Sequence, residues 1–363
     1  MKEENTITAY KAFDMDMKCR GFQYEVGKEY ELDGEIACCS RGFHACEYPM
    51  DVLFHRRMEK SLFAVVELSG KIDSQVGISS TKLCASHIRI VEMLSLPVLI
   101  KQHAELSDAN IFPVSSAEAR LGSFKRIDRS NGSLYLDYYT SAKNERIYFP
   151  NPESSVTALD SDANIYMIGH FSRIVSCAPH NHIKTEGISN KIVSSSTNAN
   201  IVVCGQNSTI SSSGELARIV SFGRANKIVS SGRYALISSL GVMAEIIVAG
   251  PHCNVGALGN CTTISSSGKS TRIYSSGSHC KILSTGVKSF IDCQGEHSTV
   301  VCQGANSFVK AVIGTWVTLT EFSNNNVDML CVRTEYVDGV RIKADTWYEL
   351  KNGYFAETEN IKL

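Results

Sequence analysis

This chain has little of what marks a membrane, secreted or nucleic-acid-binding protein. Its 36 basic and 37 acidic residues leave a formal net charge of −1. That balance argues against a general nucleic-acid binder and against a polybasic membrane-surface protein. No run of about 18 apolar residues occurs, so no helical membrane span is expected. The opening stretch Met1 to Asn5 lacks the apolar core of a secretory leader. The 13 cysteines are odd in number and follow no framework spacing. Buried free thiols in a reducing, cytoplasmic setting are the expectation. A glycine-rich phosphate loop, a Ser-His-Asp set and a paired-carboxylate motif are also missing.

What the chain does have is a register. Glycine recurs every nine residues from Gly205 to Gly304 without a break. Five residues after each glycine stands a β-branched aliphatic side chain. That column runs from Val156 to Val309 and holds 14 Ile and 4 Val in 18 repeats. The repeat reads Gly-x-x-small-x-Ile-x-small-x, and its third, fifth and seventh positions form one face of a short strand. The residues between vary and suit a solvated face. Such a period defines a parallel β-solenoid, a β-roll or β-helix built of nine-residue half-turns. Two half-turns per coil fit best, giving about nine coils and roughly 43 Å. A three-sided coil of about 27 residues is the competing form. The glycine is expected to turn the chain through positive φ. Inward Ser and Asn are expected to form ladders along the core.

The same period occurs in calcium-binding β-rolls, which need an aspartate in a fixed column. Between 151 and 320 there are only Asp160, Asp162 and Asp292, in no common column, so no calcium is expected.

The rest divides into a head (1–106), an irregular connector (107–150), the solenoid (151–320) and a closing β cap (321–363). In the head, Tyr10 to Phe13, Phe22 to Val26 and Leu62 to Leu68 read as strands. Met50, Leu53, Phe54 and Met58 predict a helix over Pro49 to Lys60. A second helix is expected between Glu92 and Leu106, with Pro97 in its first turn or at a kink. These elements make a small α+β domain. In the connector, a hairpin is expected from Ser133 to Phe149. Ser107-Asp-Ala-Asn-Ile recurs at Ser161, six repeats later, which suggests an early, interrupted start to the solenoid. In the cap, turns at Asp338-Gly339 and Asn352-Gly353 predict β-hairpins that close the solenoid end or mediate self-association.

The run from Tyr10 to Leu53, YKAFDMDMKCRGFQYEVGKEYELDGEIACCSRGFHACEYPMDVL, resembles an uncharacterised domain family of phage and bacterial proteins. Such domains are often followed by Gly/Ser/Asn-rich repeats. A segment like Val337 to Gly353 is also familiar there. The resemblance implies a phage or mobile-element context and no mechanism.

Three groups of residues are candidates for chemistry. Cys19, Cys38, Cys39, His44, Cys46 and His55 are metal-ligand types, but no Cys-x2-4-Cys pair joins them, so no metal is expected. Tyr10, His44 and Glu92 look like parts of an ADP-ribosyltransferase site, which implies NAD as cofactor. In that resemblance Lys11 replaces the usual Arg, the Ser-Thr-Ser element is missing, and Ile90 replaces the first glutamate. Outward Arg218, Lys227, Arg272 and Lys281 are the candidate binding residues of the solenoid, for a protein partner. The leading reading is a non-enzymatic scaffold with no cofactor, and the alternative is an NAD-dependent head.

Overall fold

The computed structural model describes residues 6–74, 81–111, 125–126, 136–323 and 325–358. Met1 to Asn5 and Ser133 to Tyr135 lie outside the described residues. The chain forms two compact units, Met1–Ser107 and Asp108–Leu363.

The head contains β1 (Ile7–Phe13), β2 (Lys18–Cys19), β3 (Phe22–Gln23), β4 (Glu29–Glu31), β5 (Phe43–Cys46), β6 (Leu62–Ser74) and β7 (Lys82–Leu94), followed by α1 (Leu96–Ile111). Five strands form one sheet in the order β4-β7-β5-β1-β6, and β6 pairs back onto β7. The sheet therefore closes on itself, and Ala9, Phe13, Phe43, Val66, Leu68, Ile88 and Ile90 fill its core. The expected Phe22 to Val26 strand shrinks to the two residues of β3. The expected helix over Pro49 to Lys60 is instead two 3-10 turns, Pro49–Phe54 and Met58–Lys60. The chain leaves helical geometry at Arg57, which is extended at ψ 131. Arg56 is drawn instead to Asp14, 2.5 Å away. Glu92 does not open a helix. It lies in β7 opposite Val65, and the helix begins at Leu96 with Pro97 in its first turn.

The second unit is a parallel β-solenoid of about 10 turns in a protein that is 47% strand. Its coil is two-sided. Four-residue strands alternate between a 13-stranded sheet (sheet I) and a 12-stranded sheet (sheet II). Each strand pairs in parallel with the one a full coil away, as in Ile201 with Ile219 and Ile210 with Ile228. The isoleucine column forms the core, and Ile174, Ile192, Ile210, Ile228 and Ile246 are fully buried.

The solenoid begins before residue 151, as the sequence suggests, but the expected Ser133 to Phe149 hairpin is not formed among the described residues. Leu136–Thr140 joins sheet II in parallel with Ser154–Ala158. Arg146–Phe149 joins sheet I between Lys125–Arg126 and Asn164–Met167. These are half-turns on opposite sides of one coil. The repeated pentapeptide is also not structurally equivalent: Ser107 to Ile111 ends α1, whereas Ser161 to Ile165 leads into a solenoid strand.

The repeat glycines do not turn the chain by positive φ. The left-handed residue is the one two places later, such as Leu216, Tyr234, Met243 or Lys288, with φ near 58–60°. No Val, Ile or Thr occupies this column from Glu153 to Asn306, because a branched Cβ clashes there. The glycine meets a different demand. A Cβ on Gly223 would stand 1.9 Å from the carbonyl oxygen of Gly205 in the preceding coil.

In sheet I the parallel stack ends at Phe308–Ala311, and in sheet II it ends one strand later. Trp316–Phe322 continues sheet II and turns back antiparallel as Met329–Tyr336. Tyr348–Lys351 and Tyr354–Glu357 form a hairpin around Asn352-Gly353, both at positive φ. Asp338-Gly339 does not join paired strands. The Asp338 carboxylate instead accepts the N–H groups of Val340, Arg341 and Ile342. Val337, Ile342, Tyr348 and Leu350 complete the solenoid core.

Candidate functional site

The head carries an open cavity of about 650 Å³. β1 gives it Tyr10 and Lys11, the segment joining β2 to β3 gives Arg20, and β5 with the turn before it gives Arg41 and His44. The 3-10 region contributes His55 and Arg56, and β7 contributes Lys82. Five cations line this space, Lys11, Arg20, Arg41, Arg56 and Lys82, and no carboxylate is among the described lining residues. The apolar wall includes Phe22, Tyr24 and Phe43, whose rings pack edge-on.

Lys11 is buried among this set. Its Nζ donates to the carbonyl of His44 at 2.6 Å and lies 5.3 Å from the centre of the Tyr24 ring. Burial pushes its pKa below the ordinary lysine value. Arg41 donates to the carbonyl of Asp33 at 2.6 Å, and Lys82 reaches the Cys39 sulfur at 3.1 Å. Burial, then the charges of Lys82, Lys11 and Arg20, push His44 down to about 4. Burial and Lys82 also lower His55, with Asp51 opposing. Both histidines thus report a positive, poorly hydrated interior.

Of the three enzyme-type candidates, Tyr10 and His44 line the cavity and Glu92 does not. Glu92 is exposed on β7. Of the metal-ligand types, Cys19, His44, Cys46 and His55 line the cavity. The structure also brings together a group the sequence does not reveal. One ligand atom each from Cys38, His44 and Cys84 lies within 4.8 Å of the other two. Cys84 comes from β7, 40 positions after His44, where no ligand spacing marks it. The signal is the strand pairing, which sets His44 directly opposite Cys84.

The four solenoid cations do not form one patch. Arg218 and Arg272 belong to sheet I, and Lys227 and Lys281 to sheet II. Lys227 is paired with Glu245 at 2.7 Å, and Arg272 stands 5.8 Å from the centre of the Phe290 ring. The two outer faces differ. On sheet I, outward Val202, Val220, Leu236 and Phe290 are buried, while on sheet II Lys191, Thr263, Lys281 and Leu283 are exposed.

Residues 7–102 match a family described as a domain of unknown function (DUF7666), so the head carries such an uncharacterised domain. No curated protein and no solved structure matches the chain. Among the described residues no helix is long and apolar enough to cross a membrane.

Proposed function

We propose that this chain is a non-enzymatic binding and scaffold protein whose head takes an anionic ligand with a flat apolar part, of the kind a nucleotide presents. The observation that carries this is the 650 Å³ cavity with five cations, an aromatic wall and no lining carboxylate. Such a volume fits a small ligand, and cations gathered on a wall without carboxylates favour phosphate or carboxylate groups. The solenoid serves as a spacer and platform for a protein partner in the cytoplasm, in the phage or mobile-element context that the head's resemblance implies. Trp316, Met329, Leu330 and Val332, exposed on the cap hairpin, support self-association through that end.

Calorimetric titration of the full chain with pyrophosphate, ATP and NAD, in chelator, tests the ligand class. A nucleotide should bind, and Arg20→Gln should weaken it about 10- to 150-fold, since a charge-assisted contact contributes about 1.5–3 kcal/mol. Arg20 is exposed and lines the cavity. No binding by any of the three anions would refute the reading.

The rival is an NAD-consuming head, favoured by Tyr10 and His44 lining the same space. Glu92 outside the cavity weighs against it. Glycohydrolase or transferase activity lost in Glu92→Gln with folding intact would reverse the preference.

A further inference from the structure

Cys38, His44 and Cys84 come from three separate segments, and the fold converges them. We propose that these three side chains hold a zinc ion, with the fourth position left to water or to a group entering from the cavity that His44 lines. The proposal stands on its own donor set and does not depend on the anion-binding reading.

Two thiolates and one imidazole suit Zn²⁺, and their two negative charges would neutralise it in a poorly hydrated place. With Zn–S of about 2.3 Å and Zn–N of about 2.0 Å, tetrahedral ligand atoms stand roughly 3.5–3.8 Å apart. The observed limit of 4.8 Å leaves about 1 Å to close. Three protein ligands and an open position match a catalytic or ligand-exchanging zinc rather than a closed structural one.

The surroundings place each ligand. His44 and Cys84 are a directly opposed pair of antiparallel β5 and β7, so their side chains share a face. Gly42, at φ +137°, allows this packing, because a Cβ there would stand 3.2 Å from the Cys84 Cβ and 3.0 Å from Ile36 Cγ2. Cys38 is fixed through its backbone, whose N–H donates to Asp73 Oδ2 at 2.8 Å. The turn that carries it is closed by the Arg41 N–H donating to the Ala37 carbonyl at 2.8 Å. The His44 Nε2 accepts the Cys39 N–H at 2.9 Å, and the metal would take that lone pair and release the turn. Sequence spacing hides the set, since adjacent Cys38 and Cys39 draw attention while the second sulfur ligand lies on a distant strand.

The test loads the full chain, reduced and stripped with chelator, with Co²⁺ and then Zn²⁺. The expected result is the intense visible spectrum of tetrahedral cobalt with a thiolate charge-transfer band, displaced by about one equivalent of zinc. Cys38→Ser should weaken that band and lower zinc affinity at least about 100-fold. Cys84→Ser should do the same, and Cys39→Ser should leave the band unchanged. If Cys84→Ser does not fold, Cys38→Ser on the partly exposed turn and the wild-type spectrum still decide. The proposal fails if the folded, reduced wild type takes up no cobalt, or shows a pale spectrum without thiolate charge transfer. It fails equally if Cys38→Ser leaves the spectrum intact, or if Cys38 and Cys84 are isolated as a disulfide and the reduced chain binds no metal.

Discussion

A Cβ on Gly250 would stand 2.0 Å from the carbonyl oxygen of Gly232 and 2.6 Å from its carbonyl carbon. Both are backbone atoms of the preceding coil, so no side chain can swing away. Gly250→Ala must push two coils apart and should cost about 3 kcal/mol or more, read from denaturant unfolding. Lys288→Gly tests the neighbouring column, where φ is +58° and glycine is accepted without strain. It should change stability by less than about 1 kcal/mol. The glycine register is plain in the sequence, but its cause is not. The residue at positive φ varies through Leu216, Tyr234 and Lys288, and leaves only the absence of branched side chains as its trace. The left-handed turn is therefore easily credited to the glycine.

Within the strands and turns, some inward polar residues link one strand to the turn after it. Ser221 accepts from Asn226 at 2.9 Å and Ser284 donates to Ser289 at 2.9 Å, five residues on in each case. Ser212, Ser230 and Ser239 face alanine at that offset, and their hydroxyls are buried without a partner. Asn226 also accepts the Ser208 N–H at 2.8 Å and donates to the Gly205 carbonyl at 2.8 Å. Asn226→Ala should therefore cost about 1–3 kcal/mol, while Ser230→Ala should be neutral or stabilising, both read from thermal melts. The expected ladder is thus only partly built, because Ala217, Ala235 and Ala244 interrupt it.

His182, on the outer side of sheet I, adds a pH dependence. Burial, then Arg218, lowers its pKa, with Asp162 opposing. An unfolded histidine titrates near about 6.5, so below that pH the unfolded chain binds the proton more readily than the native one. Stability should be full above this range and fall as pH drops toward the lowered native value. His182→Gln should flatten that slope in melts taken between pH ~7 and ~5. Element types were legible where the period was long, as in the solenoid. They were not where spacing mimicked a helix: Met50, Leu53, Phe54 and Met58 fit one, yet the chain breaks at His55 to Arg57.

At the scale of the molecule, the head and the solenoid have separate cores. The family match over residues 7–102 covers only the first, and the nine-residue period speaks only for the second. The cap belongs to the solenoid core through Val317, Leu319, Val337 and Tyr348. Ending the chain after Ala311 would uncover Val300 and Val309 and the open edges of the strands Thr299–Cys302 and Phe308–Ala311. Such a truncation should self-associate, seen as larger species by light scattering, whereas the full chain should not grow indefinitely. The head's cavity was legible only in part. Tyr10 and His44 stood out by resemblance, whereas its charge arises from Arg20, Arg41, Arg56 and Lys82, which only the closed sheet gathers.

The two-sided coil sets the step by which a gene encoding this protein can lengthen or shorten. Partners stack 18 residues apart. Loss or duplication of a whole coil keeps each downstream residue on its own side. Loss of a single nine-residue unit preserves the glycine register and the isoleucine column, yet exchanges sheet I for sheet II from that point on. Leu236 and Phe290 would move to the face that carries Lys281, and Lys281 to the face where they are now buried. Copy-number variation in this array should therefore be counted in pairs, an inheritance rule written by the coil rather than by the repeat.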